Sequence, residues 1–205
     1  MIAHLFFKIK IYLNYHLRAV NAHSLHSPFL FDFYNEVIAA KKEFYFFKEL
    51  RVILIAYSKF ISEVDALFLY RWVAFYKPNS IFVASENFPV SLALAVPSNK
   101  KSLSVSSFCH FSNQELNIFE RAGVLLCKGH HADLIYLEEI DALTKDIILN
   151  YTCMIIKNPH QNKLKDAIWK ELCSFKEISV SIDLFQFGIL LVDKKMSKQH
   201  FIVKM

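Results

Sequence analysis

Between Lys77 and Ser106 the chain reads KPNSIFVASENFPVSLALAVPSNKKSLSVS, and this stretch constrains the fold more than any other. Pro78-Asn79 signals a turn, and Ile81-Phe82-Val83-Ala84 is a short apolar run suited to a strand covered on both faces. Ser85-Glu86-Asn87 offers a cap and a bend. Pro89 suits the first turn of a helix, where its missing N–H does no harm. Residues 90–96 then form that helix, Pro97-Ser98-Asn99 stops it, and residues 102–106 are the next strand. In open α/β sheets the loop after such a first strand is where nucleotide-like ligands sit. Yet this loop holds no glycine.

The rest of the chain extends the same alternation. The spacing of apolar residues predicts helices over 3–20, 29–40, 44–60 and 62–76, with Ser27 and Ser62 as caps, Pro28 in a first turn and Asp65 as a first-turn acid. Beyond the second strand, a helix over 113–122 closes at Gly123. Strands follow over 124–127, 131–137 and 152–156, with a helix over 141–150 between the last two. Lys157-Asn158-Pro159-His160 is a loop before a helix over 161–174. Runs at 178–184 and 187–192 make an antiparallel finish, and 200–203 a last strand. This order predicts an α/β three-layer sandwich with a mostly parallel sheet and an antiparallel C-terminal hairpin. The helices ahead of it read as an N-terminal arm, 1–61, and the remainder, 62–205, as one α/β domain.

Composition removes several alternatives. A chain of 205 residues with 54% apolar residues and 20 Phe can bury a full core. The net charge of +5 is spread evenly, with no Lys/Arg run longer than two, which argues against nucleic acid as a partner. Cys109, Cys127, Cys153 and Cys173 never pair as CxxC, so zinc and thioredoxin-like sites fail on spacing, and free thiols in a reducing cytoplasm fit better. The apolar N-terminus is interrupted by Lys8, Lys10, Asn14, His16 and Arg18, so it is neither a membrane span nor a signal peptide. A surface-lying helix stays open, but its basic residues do not gather on one face, and a packing helix or arm is the plainer reading. His23 and His26 lie on a loop without a third metal ligand, His130-His131 reads as a loop entering a strand, and no metal site is expected.

Three stretches carry a resemblance. His23-Ser24-Leu25-His26-Ser27-Pro28-Phe29-Leu30-Phe31-Asp32 is similar to an HxxHSPFxxD signature. Leu67 to Val105 follows a helix, strand, glycine loop, helix and acidic strand end. Ser179-Val180-Ser181-Ile182-Asp183-Leu184-Phe185-Gln186-Phe187-Gly188-Ile189, with Gln199 to Val203 beyond, resembles a closing hairpin with a TIDLFxxG-like core. Together they resemble a family of class I S-adenosylmethionine-dependent methyltransferase-like proteins of Bacteroidetes. The resemblance implies a Rossmann-like fold, S-adenosylmethionine as cofactor and transferase chemistry.

The departures fall where that chemistry would be. The family's ELGTSLG becomes Val83-Ala84-Ser85-Glu86-Asn87-Phe88-Pro89, which loses the acid and both glycines that let the cofactor approach bare backbone. The carboxylate expected on the ribose hydroxyls falls on Ser106. The family's FDGNH becomes Leu137-Glu138-Glu139-Ile140-Asp141, and its DDIH becomes Lys157-Asn158-Pro159-His160. Ser85, Asn87, Ser106 and Glu138 are what remains to contact a cofactor, and His160 is what remains for catalysis. Glu138, Glu139 and Asp141 read as a solvated loop, and Asp183 as structural. Two readings stay open. One is a catalytically silent pseudoenzyme that has lost S-adenosylmethionine and binds a small molecule, a protein partner or a second copy of itself. The other is an active methyltransferase with a glycine-free cofactor loop.

Overall fold

A computed structural model of the chain describes residues 2–20, 27–57, 59–98, 102–105, 110–128, 132–141 and 150–205. The chain packs as two units, one of Met1–Leu25 with Leu134–Met205 and one of His26–Asp133.

In the His26–Asp133 unit the elements are α2 (Pro28–Phe33), α3 (Phe47–Ala56), α4 (Glu63–Tyr76), β1 (Ile81–Ala84), α5 (Phe88–Ala95), β2 (Ser102–Val105), α6 (Asn113–Arg121) and β3 (Leu125–Lys128). Ser62 starts α4 as its sequence dictates, its Oγ accepting the Asp65 N–H at 3.1 Å. Residues 65–70, 72 and 73 of α4 are buried, so this helix is apolar nearly all round, the pattern of a central helix. Trp72 anchors it, with Phe33 edge-on at 5.1 Å and Tyr76 stacked at 5.6 Å between centroids. The chain leaves α4 through Lys77 in the left-handed region, φ 55°, and enters β1. β1 pairs parallel with β2 and β2 with β3, with Ile81 opposite Leu103 and Ser102 opposite Leu125.

In the other unit α1 (Ile2–Arg18) is joined by β4 (Leu134–Leu137), β5 (Cys153–Lys157), α7 (Lys163–Ser174), β6 (Val180–Asp183), β7 (Phe187–Leu191) and β8 (Gln199–Ile202). β4 to β7 are buried along almost their full length, as strands covered on both faces must be. β4 and β5 are parallel, β5–β7 and β7–β6 antiparallel, and β8 lies parallel to β6. At Gly188 an added Cβ would sit 2.5 Å from the Trp169 ring, so only glycine lets β7 and α7 approach this closely. A bridge from Val20 to Val203 and the Tyr15 hydroxyl, donating to the Val203 carbonyl at 2.6 Å, tie α1 to the end of the chain.

Mostly parallel pairing, flanking helices and a closing antiparallel hairpin are the expected α/β architecture. Local boundaries differ. The helix expected over 29–40 is α2 followed by a π-helical turn, Tyr34–Ile38. Of the three residues 85–87 that offer a cap, Asn87 is the one that serves, its Oδ1 accepting the Val90 N–H, and the helix starts at Phe88 rather than at Val90. Most of the helix expected over 141–150, and Ser106, His23, His26, Cys109, His130 and His131, lie outside the described residues.

Candidate functional site

The site grows from the loop between β5 and α7. Asn158 takes the left-handed region, φ 48°, and its N–H donates to the Gln186 carbonyl at 2.7 Å. The Gln161 N–H then donates back to the Asn158 carbonyl at 3.0 Å, and this tight turn aims the His160 ring inward. Asn162 caps α7, its Oδ1 accepting the Lys165 N–H at 2.9 Å, which places Asp166 in the buried first turn. Asp183 ends β6 and is equally buried.

His160 sits between these two carboxylates. Its Nδ1 lies 2.7 Å from Asp166 Oδ1 and its Nε2 2.8 Å from Asp183 Oδ2. An ionised carboxylate only accepts, so an imidazolium, with both ring nitrogens donating, is the form of His160 that this arrangement favours. Burial pushes the His160 pKa down, but the hydrogen bonds and charges of Asp183 and then Asp166 outweigh it, and the net direction is up. The remaining carboxylate oxygens are also served: Lys170 Nζ donates to Asp166 Oδ2 at 2.6 Å, and the Phe185 N–H to Asp183 Oδ1 at 2.9 Å. Two acidic and two basic side chains thus alternate along one hydrogen-bonded chain, Lys170, Asp166, His160 and Asp183. Phe185 holds φ 66° to stack over His160 at 5.7 Å while Tyr12 and Tyr15 pack against it at 5.3 and 5.2 Å.

A cavity of about 320 Å³ opens beside this cluster, walled by Tyr15, Arg18, Trp169, Cys173, Asp183 and His200. Burial first, then the Asp183 charge, raises Tyr15 to about 12. Burial likewise raises the Cys173 thiol to about 12, which leaves no thiolate to act as nucleophile. Burial lowers His200, against the pull of Asp183 and with the Arg18 and His160 charges adding to the drop, and its Nδ1 shares a 2.7 Å hydrogen bond with Ser181 Oγ. As placed, His160 presents no ring nitrogen to a substrate.

The expected cofactor contacts lie elsewhere. Ser85 Oγ accepts the Asn87 N–H at 2.9 Å, and the Asn87 amide donates to the Phe60 carbonyl at 3.3 Å. Glu138 follows β4 and is half-buried; beside it Glu139 pairs with the buried Lys165 at 2.7 Å. Sequence reasoning singled out His160 and Asp183 separately but missed Asp166, Lys170 and Tyr15. The spacing of Asp166 and Lys170, one helical turn apart after an Asn cap, was the available signal.

No family model matches the sequence, and no curated protein matches it significantly. Among solved structures, a methyltransferase from Geobacter sulfurreducens superposes with a TM-score of 0.50 at 10% identity, over 74% of this chain and 90% of that one. The chain has a class I methyltransferase-like fold. The O-methyltransferase from Bacillus cereus in complex with SAH aligns with a TM-score of 0.49 at 12% identity, over 76% of this chain and 94% of that one. At such identities the likeness concerns the fold alone.

Proposed function

We propose that this chain is a methyltransferase-like binding or assembly domain whose S-adenosylmethionine site is degenerate and catalytically silent. The observation that carries this reading is the state of the β1–α5 loop. A cofactor held at such a loop needs open backbone N–H groups at the helix start. Here the Asn87 N–H is bound to Ser85 Oγ, Pro89 has none, and the Val90 and Ser91 N–H groups are bound to Asn87 Oδ1 and the Asn87 carbonyl. Phe88, 1% exposed, fills the space beside them against Tyr57, Phe119 and Phe111. The Asn87, Val90 and Ser91 N–H groups are thus engaged within the loop and its helix, and we read these residues as unsuited to the cofactor.

Calorimetric titration with S-adenosylmethionine and S-adenosylhomocysteine tests the reading. No heat at millimolar ligand is expected. Thermal melting supplies a second readout, since a ligand at a hundred times its Kd adds about 2.7 kcal/mol, a rise of roughly 5–10 °C for a chain of this size. Micromolar binding with such a rise overturns the proposal and restores the active enzyme with a glycine-free loop.

A further inference from the structure

A cavity of about 570 Å³ in the His26–Asp133 unit lies beside the last turn of α4 and shares no residue with the β1–α5 loop or the His160 cluster. Four basic residues line it, Lys41, Lys42, Arg71 and Lys77, against one acid, Glu36. Part of that charge has a local account. Lys77 caps α4, whose carbonyl end carries about half a unit of negative charge, and Lys42 lies over the Phe44 ring at 5.1 Å. Arg71 is different. Its guanidinium rests over the Phe47 ring at 5.3 Å, but among the described residues it makes no hydrogen bond or ion pair, and its Nε is buried without an acceptor. Glu43, the acid whose charge reaches Arg71, has both oxygens held by Arg51 Nη1 and Nη2 at 2.9 Å each, and Arg51 Nε holds Glu63 at 2.7 Å. Burial lowers the Arg71 pKa, with Glu43 opposing the drop and Arg51 adding to it. A half-buried guanidinium without an acceptor is costly, and the open space it borders is this cavity.

We propose that the cavity binds a small phosphorylated molecule, its phosphate oxygens received by Arg71 with Lys41 and Lys42 and its body lying against Phe44 and Phe75. Charge selects the headgroup. The positive excess goes beyond what the α4 carbonyl end offsets, which suits a phosphate dianion better than a single carboxylate, and a guanidinium fork takes phosphate oxygens two at a time. Size selects the rest. A cavity of this volume holds more than one phosphate group, and Ala40, Phe44, Ala74 and Phe75 make the remaining wall apolar. Asn35 brings an amide to the same wall from the π-helical turn Tyr34–Ile38, and such turns cluster at functional sites.

Calorimetric titration of the full chain with phenyl phosphate, against phenol as the uncharged control, tests this. Binding of phenyl phosphate, weakened by salt, and none of phenol are expected. Arg71→Met keeps an apolar stem on Phe47 and removes the donors, so it should weaken binding about 10–100-fold, as the loss of one charged hydrogen bond does. Lys41→Gln/Lys42→Gln should weaken it a few-fold per lysine, and Glu36→Gln, which removes the one acid in the wall, should tighten it by a similar factor. Lys176→Gln, exposed in the other unit, should bind as the parent does. Unchanged melting shows that each variant keeps its fold. Should Arg71→Met fail to fold, the lysine pair and Glu36→Gln still decide, because all three side chains are exposed. No heat from phenyl phosphate at millimolar concentration overturns the proposal, as does equal binding of phenol. So does binding that the Arg71, lysine and Glu36 variants leave unchanged, which would put the anion elsewhere on the protein.

Discussion

Replacing His160 by alanine removes the cation shared by two buried carboxylates. Asp166 keeps Lys170 and Asp183 keeps the Phe185 N–H, but the charges no longer balance inside the protein. Breaking a buried ion pair from one side costs about 3–5 kcal/mol. For a chain of about 200 residues this lowers the melting temperature by ~6–20 °C. The wild type should also show a specific pH dependence. The His160 pKa is raised in the folded state, so its stabilisation is complete below the ordinary histidine value of about 6.5 and is lost as pH rises through the higher folded value. Urea denaturation across that window should therefore show a falling midpoint for the wild type and a flatter profile for His160→Ala. Imidazole proton shifts report the titration directly. A loss under about 1 kcal/mol, or identical pH profiles for the two proteins, would refute the charged network.

Other expectations follow from local geometry. Gly188→Ala forces a methyl group against the Trp169 ring and should cost about 1–3 kcal/mol in urea denaturation, because β7 and α7 cannot separate without disturbing the hairpin. Asn87→Ala removes the α5 cap and should cost about 1 kcal/mol, whereas Asn87→Gly should cost only a few tenths; equal losses would show that the cap is not the source.

Local signals carried the architecture. Ser62 ahead of Glu63–Tyr76, Gly123 after Asn113–Arg121, and the apolar runs of β1 and β5 each specify an element through contacts a few residues long. A Ser or Asn cap satisfies orphan N–H groups, Pro89 accepts a helix start, and an apolar tetrapeptide needs cover on both faces. The boundaries that shifted, at 34–38 and 85–90, lie where neighbouring residues compete for the same local role. The glycine-free loop was also legible, and its consequence for the cofactor rests on residue chemistry alone.

The charge network was not legible, because its members are joined by packing rather than by spacing. His160 and Asp183 stand 23 residues apart. Their hydrogen bond depends on β5, β7 and β6 lying side by side in one register and on the phase of α7, which a one-residue slip in either would destroy. The aromatic surplus divides in the same way. Composition counts Phe but cannot say that Phe33, Phe47, Phe88 and Phe119 are core while Phe6 and Phe60 face outward. The sequence alone determined the elements and the missing glycine loop, since both are short-range. Tertiary structure alone decided which polar groups meet and which apolar face stays uncovered, since burial is a property of the assembled elements and not of any one of them.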